Sequence, residues 1–66
     1  MLSFAQKLRA ARLRKGLTQL QVAEMLHVDR TTYNKYEKGM VQPHLEGLYR
    51  LTQILGVTAD ELLKPD

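Results

Sequence analysis

Sixty-six residues make one domain at most, close to the lower size at which a chain folds without staples. There is no cysteine, which excludes disulfides and thiolate metal sites, and no apolar run approaches the roughly 20 residues of a membrane span. A 44% apolar, 26% charged composition is ordinary for a folded domain, but the net charge of +3 is unevenly placed. Residues 1–44 carry eight Lys/Arg against Glu24, Asp29 and Glu37, giving +5; residues 45–66 carry two against four acidic residues, giving −2. One end is built to meet something anionic, the plainer alternative being a soluble surface with uneven charge.

Helix starts and stops are legible along the whole chain. Ser3 with Gln6 forms a capping box for a helix over about 4–15, which Gly16 can close in the left-handed conformation. Leu17-Thr18 with Val22 is a hydrophobic staple around a second box, Thr18 with Gln21, and opens a helix over about 19–26. Val28-Asp29 with Tyr33 repeats the staple and opens a helix over about 30–38, stopped by Gly39. Pro43 marks the loop before a helix over about 45–55, where His44 stands in place of a better cap and Gly56 ends the run. Val57-Thr58 with Leu62, and Thr58 with Glu61 as a third box, open a last helix over about 59–63. Nothing alternates with period two, and only Val41 and its neighbours hint at extended chain.

Each of these helices is too short to persist alone in water, so packing must hold them. Helical spacing nominates the core: Phe4, Leu8, Ala11, Val22, Ala23, Leu26, Val28, Tyr33, Tyr36, Leu48, Leu51, Leu55, Val57 and Leu62. There is no internal repeat, linker or low-complexity segment. Residues 1–66 therefore read as a single all-α domain of five helices.

The third helix separates its residue types by face. At about 100° per residue, Arg30, Asn34, Lys38, Thr31 and Lys35 share an arc of about 140°, while Tyr33 and Tyr36 point the other way. The polar arc matches the base edges of a DNA major groove. Arg can bridge guanine O6 and N7, Asn can bridge adenine N6 and N7, the Thr methyl can touch thymine, and Lys suits guanine or phosphate. A solvated basic face is the competing reading, and the preceding element decides between them. Thr18 to Leu26, His27-Val28-Asp29, then Arg30 to Lys38 is helix, turn, helix. Ala23 is small where two helices cross, and Val28 and Tyr33 can plug the corner. That geometry frees the second helix to enter a groove.

The segment "GLTQLQVAEMLHVDRTTYNKYEKG" resembles the helix-turn-helix domain of the lambda-repressor, Cro and Xre type, and "QPHLEGLYRLTQILGVTADELL" is similar to that family's fourth and fifth helices. The resemblance implies a compact five-helix DNA-binding domain of bacterial or phage origin, with its helix-turn-helix at about 18–38. It implies base-reading roles for Arg30, Thr31 and Lys35, with Asn34 beside them, and phosphate contacts from Thr18, Gln19 and Lys38. It also matches Arg12 and Glu37 as a structural ion pair between helices one and three. Three residues depart from the family's pattern. His27 replaces the glycine usual in the turn, Leu20 and Met25 are apolar where the family is polar, and His44 replaces a capping Ser.

An enzyme is not expected: there is one Ser, two His lie seventeen apart, and no carboxylate cluster has ligand spacing, so no catalytic residue, metal or cofactor is assigned. An RNA-binding protein would show stacking aromatics on its exposed face, yet only Tyr49 is free of the inward pattern. The expected function is sequence-specific binding of double-stranded DNA as a transcriptional regulator, a repressor by the resemblance. The alternative is an antitoxin-type protein-interaction module of a toxin–antitoxin pair that also binds DNA, which would give Leu20 and Met25 a role. Expected partners are a palindromic operator and a second copy of the chain, at least on DNA, pairing around Val57, Ala59 and Leu63. The expected location is the cytoplasm, at the nucleoid.

Overall fold

Capping chemistry acts where it was read. The structure, a computed structural model, describes residues 3–65; Met1, Leu2 and Asp66 of the expected domain lie outside them. Five helices are present among the described residues: α1 (Phe4–Lys15), α2 (Gln19–Leu26), α3 (Arg30–Lys38), α4 (Leu45–Leu55) and α5 (Ala59–Leu63). The Ser3 and Thr18 boxes both close reciprocally, each hydroxyl accepting from the N3 amide and each glutamine accepting from the cap N–H. The third box is a correction. Thr58 accepts from Glu61 N at 3.1 Å, but the reciprocal bond is absent among the described residues. An exposed carboxylate is better hydrated than a glutamine amide, so it gains less from a single N–H. His44 makes no side-chain cap bond, as its residue type suggests.

The helices enclose one apolar cluster. α1 packs on α3, α4 and α5, α2 packs on α3 and α4, and α5 is held by α1 and α4. Leu8, Ala11, Val22, Ala23, Leu26, Tyr33, Tyr36, Leu51, Leu55 and Leu62 form the buried core. Burying each Leu is worth about 1.5–3 kcal/mol relative to leaving it in water. Phe4, Val28, Leu48 and Val57 are only partly buried and rim the cluster, together with Leu17 and Ile54, which periodicity did not select. Ala5 is a further addition to the core. It lies under the end of α3, where a Cβ built on Gly39 would stand 3.8 Å from its own.

The α2–α3 turn fixes where α3 points. His27 takes φ 64°, ψ 39°, left-handed backbone that glycine usually supplies, and Val28 N donates to Ala23 O at 3.0 Å to close the helix end. Asp29 then caps α3 by accepting from Thr32 N at 2.7 Å. Ala23 is fully buried, and its small side chain lets α2 lie close to its neighbours. α3 is thereby seated on α1 and α2 with one face left in solvent.

Candidate nucleic-acid interface

Along α3 the two faces differ as the sequence pattern predicts. Tyr33 and Tyr36 are buried, their ring centroids 6.1 Å apart and nearly perpendicular at 79°. Arg30, Thr31, Lys35 and Lys38 are exposed, and Asn34 is half-buried among them. The structure thus brings the four expected base-reading residues and Lys38 onto one outward strip. Thr18 and Gln19 stand at the start of α2 beside it; the Gln19 side chain donates to Asn34 and accepts from Arg30. The backbone N–H groups of Gln19 and Leu20 have no protein acceptor among the described residues, which leaves two donors at a helix N-terminus for an anion.

Beneath the strip sits a polar network that joins α1, α2 and α3. Arg12 Nε donates to Glu37 Oε2 at 2.6 Å and Arg12 Nη2 donates to Glu37 Oε1 at 3.0 Å. The third guanidinium nitrogen, Nη1, donates to the carbonyl of Leu17 at 2.9 Å, so the same side chain ties down the α1–α2 loop. Tyr33 Oη donates to Glu37 Oε2 at 2.5 Å. The Arg12 and Glu37 side chains are only 9% and 3% exposed, so this pair is desolvated and its geometry has to be good. Burial alone would push the Glu37 carboxyl up, but hydrogen bonds from Arg12, Tyr33 and Gln19 outweigh it and hold the group below the ordinary carboxylate range. The hydrogen bond to Glu37 raises Arg12, and burial followed by the same carboxylate raises Tyr33 well beyond the usual phenol range.

Gln19, expected from the resemblance as a phosphate contact, also makes side-chain hydrogen bonds within the protein that the sequence reading does not anticipate. Its Nε2 donates both to Asn34 Oδ1 at 3.0 Å and to Glu37 Oε1 at 3.1 Å, and its Oε1 accepts from Arg30 Nη1 at 3.4 Å. A polar residue at the first position of α2, with Asn34 and Glu37 three apart on α3, is the only trace of this in the sequence.

The remaining surface has no comparable construction. Leu20 and Met25 are each about half exposed, at 51% and 50%, and Ala59 and Leu63 of α5 are exposed. Tyr49 is exposed, as the sequence pattern suggests, and Leu45, four residues before it on α4 and not singled out in the sequence, is exposed beside it. Among the described residues no three His, Cys, Asp or Glu side chains gather as metal ligands, and no helix is long and apolar enough to cross a membrane.

Residues 8–62 match the model of the helix-turn-helix family. The chain is 43% identical over 61 residues to the SPbeta prophage-derived uncharacterized HTH-type transcriptional regulator YonR of Bacillus subtilis, covering 92% of this chain and 56% of that protein. It is 44% identical over 62 residues to the HTH-type transcriptional activator BcrR of Enterococcus faecalis, covering 94% and 30% respectively. Its fold is similar to that of the P22 c2 repressor, crystallised in complex with a synthetic operator, with a TM-score of 0.91 and 26% identity over 100% of both chains. The chain spans about half the length, or less, of the curated relatives it matches.

Proposed function

The chain belongs to the helix-turn-helix family of the lambda-repressor, Cro and Xre type, and on that premise we propose that it binds double-stranded DNA by sequence, as the DNA-reading unit of a transcriptional regulator. The observation that carries this reading is the outward face of α3. Arg30, Thr31, Asn34, Lys35 and Lys38 form one polar, basic strip on a short helix whose opposite face is locked by buried Tyr33 and Tyr36. Such a strip offers base-edge chemistry to a major groove, and its rigid backing removes much of the ordering cost of binding. Arg30, Thr31, Asn34 and Lys35 are assigned to bases. Lys38, Thr18 and the free N–H groups at the start of α2 are assigned to phosphate. The reaction is binding without chemistry, and repression is its direction, following the P22 c2 repressor with its operator.

Two copies are proposed to act together. One recognition helix reads only a few base pairs, and two-fold pairing on a palindrome supplies the rest. Ala59 and Leu63, four apart on α5 and exposed, with half-buried Val57 beside them, are the proposed meeting surface. The site of action is the bacterial or phage-infected cytoplasm, at the nucleoid.

Selection of bound duplexes from a random pool tests both parts. The expected result is one enriched site with two half-sites about 34 Å apart, bound less tightly as salt rises. A pool that enriches no sequence would remove the proposed function, and an enriched site without two-fold symmetry would remove the pairing.

A further inference from the structure

α1, α2, α3 and α5 each have a side-chain cap on their first N–H groups, and α4 has none. Leu48 N is the first α4 amide to find a backbone acceptor, the carbonyl of His44 at 2.8 Å. The N–H groups of Leu45, Glu46 and Gly47 have no protein acceptor among the described residues, at the positive end of the helix. That end opens on a cleft of about 300 Å3 between the α2–α3 turn and α4, which Gly47 lines with backbone alone. Leu26, Val28 and Tyr36 give the cleft an apolar side, and His27, His44 and Arg50 stand around it.

A second feature points to the same place. Tyr36 is only 8% exposed, yet its hydroxyl has no hydrogen-bond partner among the described residues, whereas the Tyr33 hydroxyl is held by Glu37. No sealed side-chain oxygen is left unsatisfied among the described residues, so the Tyr36 hydroxyl is reached by solvent, and the cleft is the space that Tyr36 lines. Arg50 is not firmly engaged either. It stands 3.9 Å from Glu46, an exposed i,i+4 contact that water screens heavily. Backbone N–H groups, a phenol and a guanidinium all offer donors, and Glu46 is the one acidic residue at the cleft. We propose that the cleft binds a small organic carboxylate, its apolar body against Leu26, Val28 and Tyr36, its oxygens on the first-turn N–H groups of α4, the Tyr36 hydroxyl and Arg50. A cleft of this size with one apolar side and a few convergent donors suits such a ligand. It shares no residue with the outward strip of α3, so the proposal stands or falls apart from DNA binding.

The probe is phenylacetate, which joins an aromatic ring to a carboxylate. Phenylacetamide carries the ring without the charge; acetate and inorganic phosphate carry charge without the ring. Each is titrated into the whole chain at pH 7 and followed by backbone amide NMR shifts. Phenylacetate should give saturable shifts at residues 26–28 and 44–50, with a dissociation constant on the order of 1 mM, the scale of a ligand of about ten non-hydrogen atoms. The three controls should bind at least about fivefold more weakly. Tyr36→Phe, which keeps the ring, should weaken phenylacetate about fivefold. His44→Ser supplies the missing cap, so it should raise the melting temperature while weakening phenylacetate, because the new hydroxyl takes the Gly47 N–H. Glu46→Gln releases Arg50 and should tighten binding about twofold. Thermal melts confirm that each variant is folded. Acetate or phosphate binding as tightly as phenylacetate would show a general anion site and overturn the proposal. So would phenylacetamide binding equally well, shifts confined to other parts of the chain, or folded Tyr36→Phe and His44→Ser variants with unchanged affinity. Shifts at the cleft that follow protein concentration in place of added phenylacetate would make a second copy the occupant, and would overturn it as well.

Discussion

Arg12 and Glu37, twenty-five residues apart, meet side-on, with Nε 2.6 Å from Oε2 and Nη2 3.0 Å from Oε1. The pair closes α1 onto α3 behind the polar strip of α3, and the Arg12 Nη1 also holds the carbonyl of Leu17. A buried pair of this kind is not necessarily better than two apolar residues, since desolvating both charges is costly. Removing one member is another matter.

Arg12→Ala strands a carboxylate that is 3% exposed and frees the Leu17 carbonyl. The expected loss is about 3–5 kcal/mol, which a domain of this size cannot easily absorb. Calorimetry should show the melting temperature falling by at least about 10 °C, or no cooperative transition. An unchanged melting temperature would remove the pair from the account of stability.

The same carboxylate sets an acid limit. Glu37 is held below the ordinary carboxylate range when folded, so it binds protons less readily in the folded than in the unfolded chain. Its contribution is complete above the ordinary carboxylate range, at about pH 5 and higher, and is lost as pH falls through the lowered folded value. Asp29, lowered chiefly by the backbone N–H of Thr32, acts in the same direction. Melting temperatures measured from pH 7 to pH 2.5 should decline in that acid window. Glu37→Gln should be less stable at neutral pH and show a shallower decline.

His27 is the only non-glycine residue with positive φ among those described. A side chain in that backbone region costs roughly 1–2 kcal/mol, part of which a glycine returns as unfolded-state entropy. His27→Gly should therefore stabilise the domain by about 0.5–1 kcal/mol in urea denaturation at constant m. A destabilised variant would mean that the exposed imidazole makes a contribution the backbone does not reveal.

Arg30 and Lys38 should fail differently. Arg30 stands in the first turn of α3, the part that enters a groove most deeply, and Lys38 stands two turns later. Arg30→Ala should flatten preference at one base position, with about 1–3 kcal/mol of discrimination lost. Lys38→Ala should weaken all duplexes alike and reduce the magnitude of the salt slope by about one. Binding to the selected site and to single-base variants, across a salt series, separates the two. Equal losses on every duplex for both variants would make α3 a charged handle with no reading role.

What the sequence determined by itself was local. Ser3, Thr18, Asp29, Gly16, Gly39 and Gly56 act on backbone groups within a turn of themselves, so helix limits could be read without knowing what the helices touch. The 3.6-residue repeat likewise turned Tyr33 and Tyr36 inward and Arg30, Lys35 and Lys38 outward, because a helix has only one apolar side to bury. Tertiary structure decided what depends on how helices cross. Ala5 is core because the end of α3 lies over it, and the apolar pair Leu45 and Tyr49 is bare because no described helix covers it. Asn34 read as a free amide until Gln19, fifteen residues away, was found holding its oxygen. Residue type gives an amide both a donor and an acceptor; only the neighbours across the α2–α3 contact decide what those groups meet within the protein.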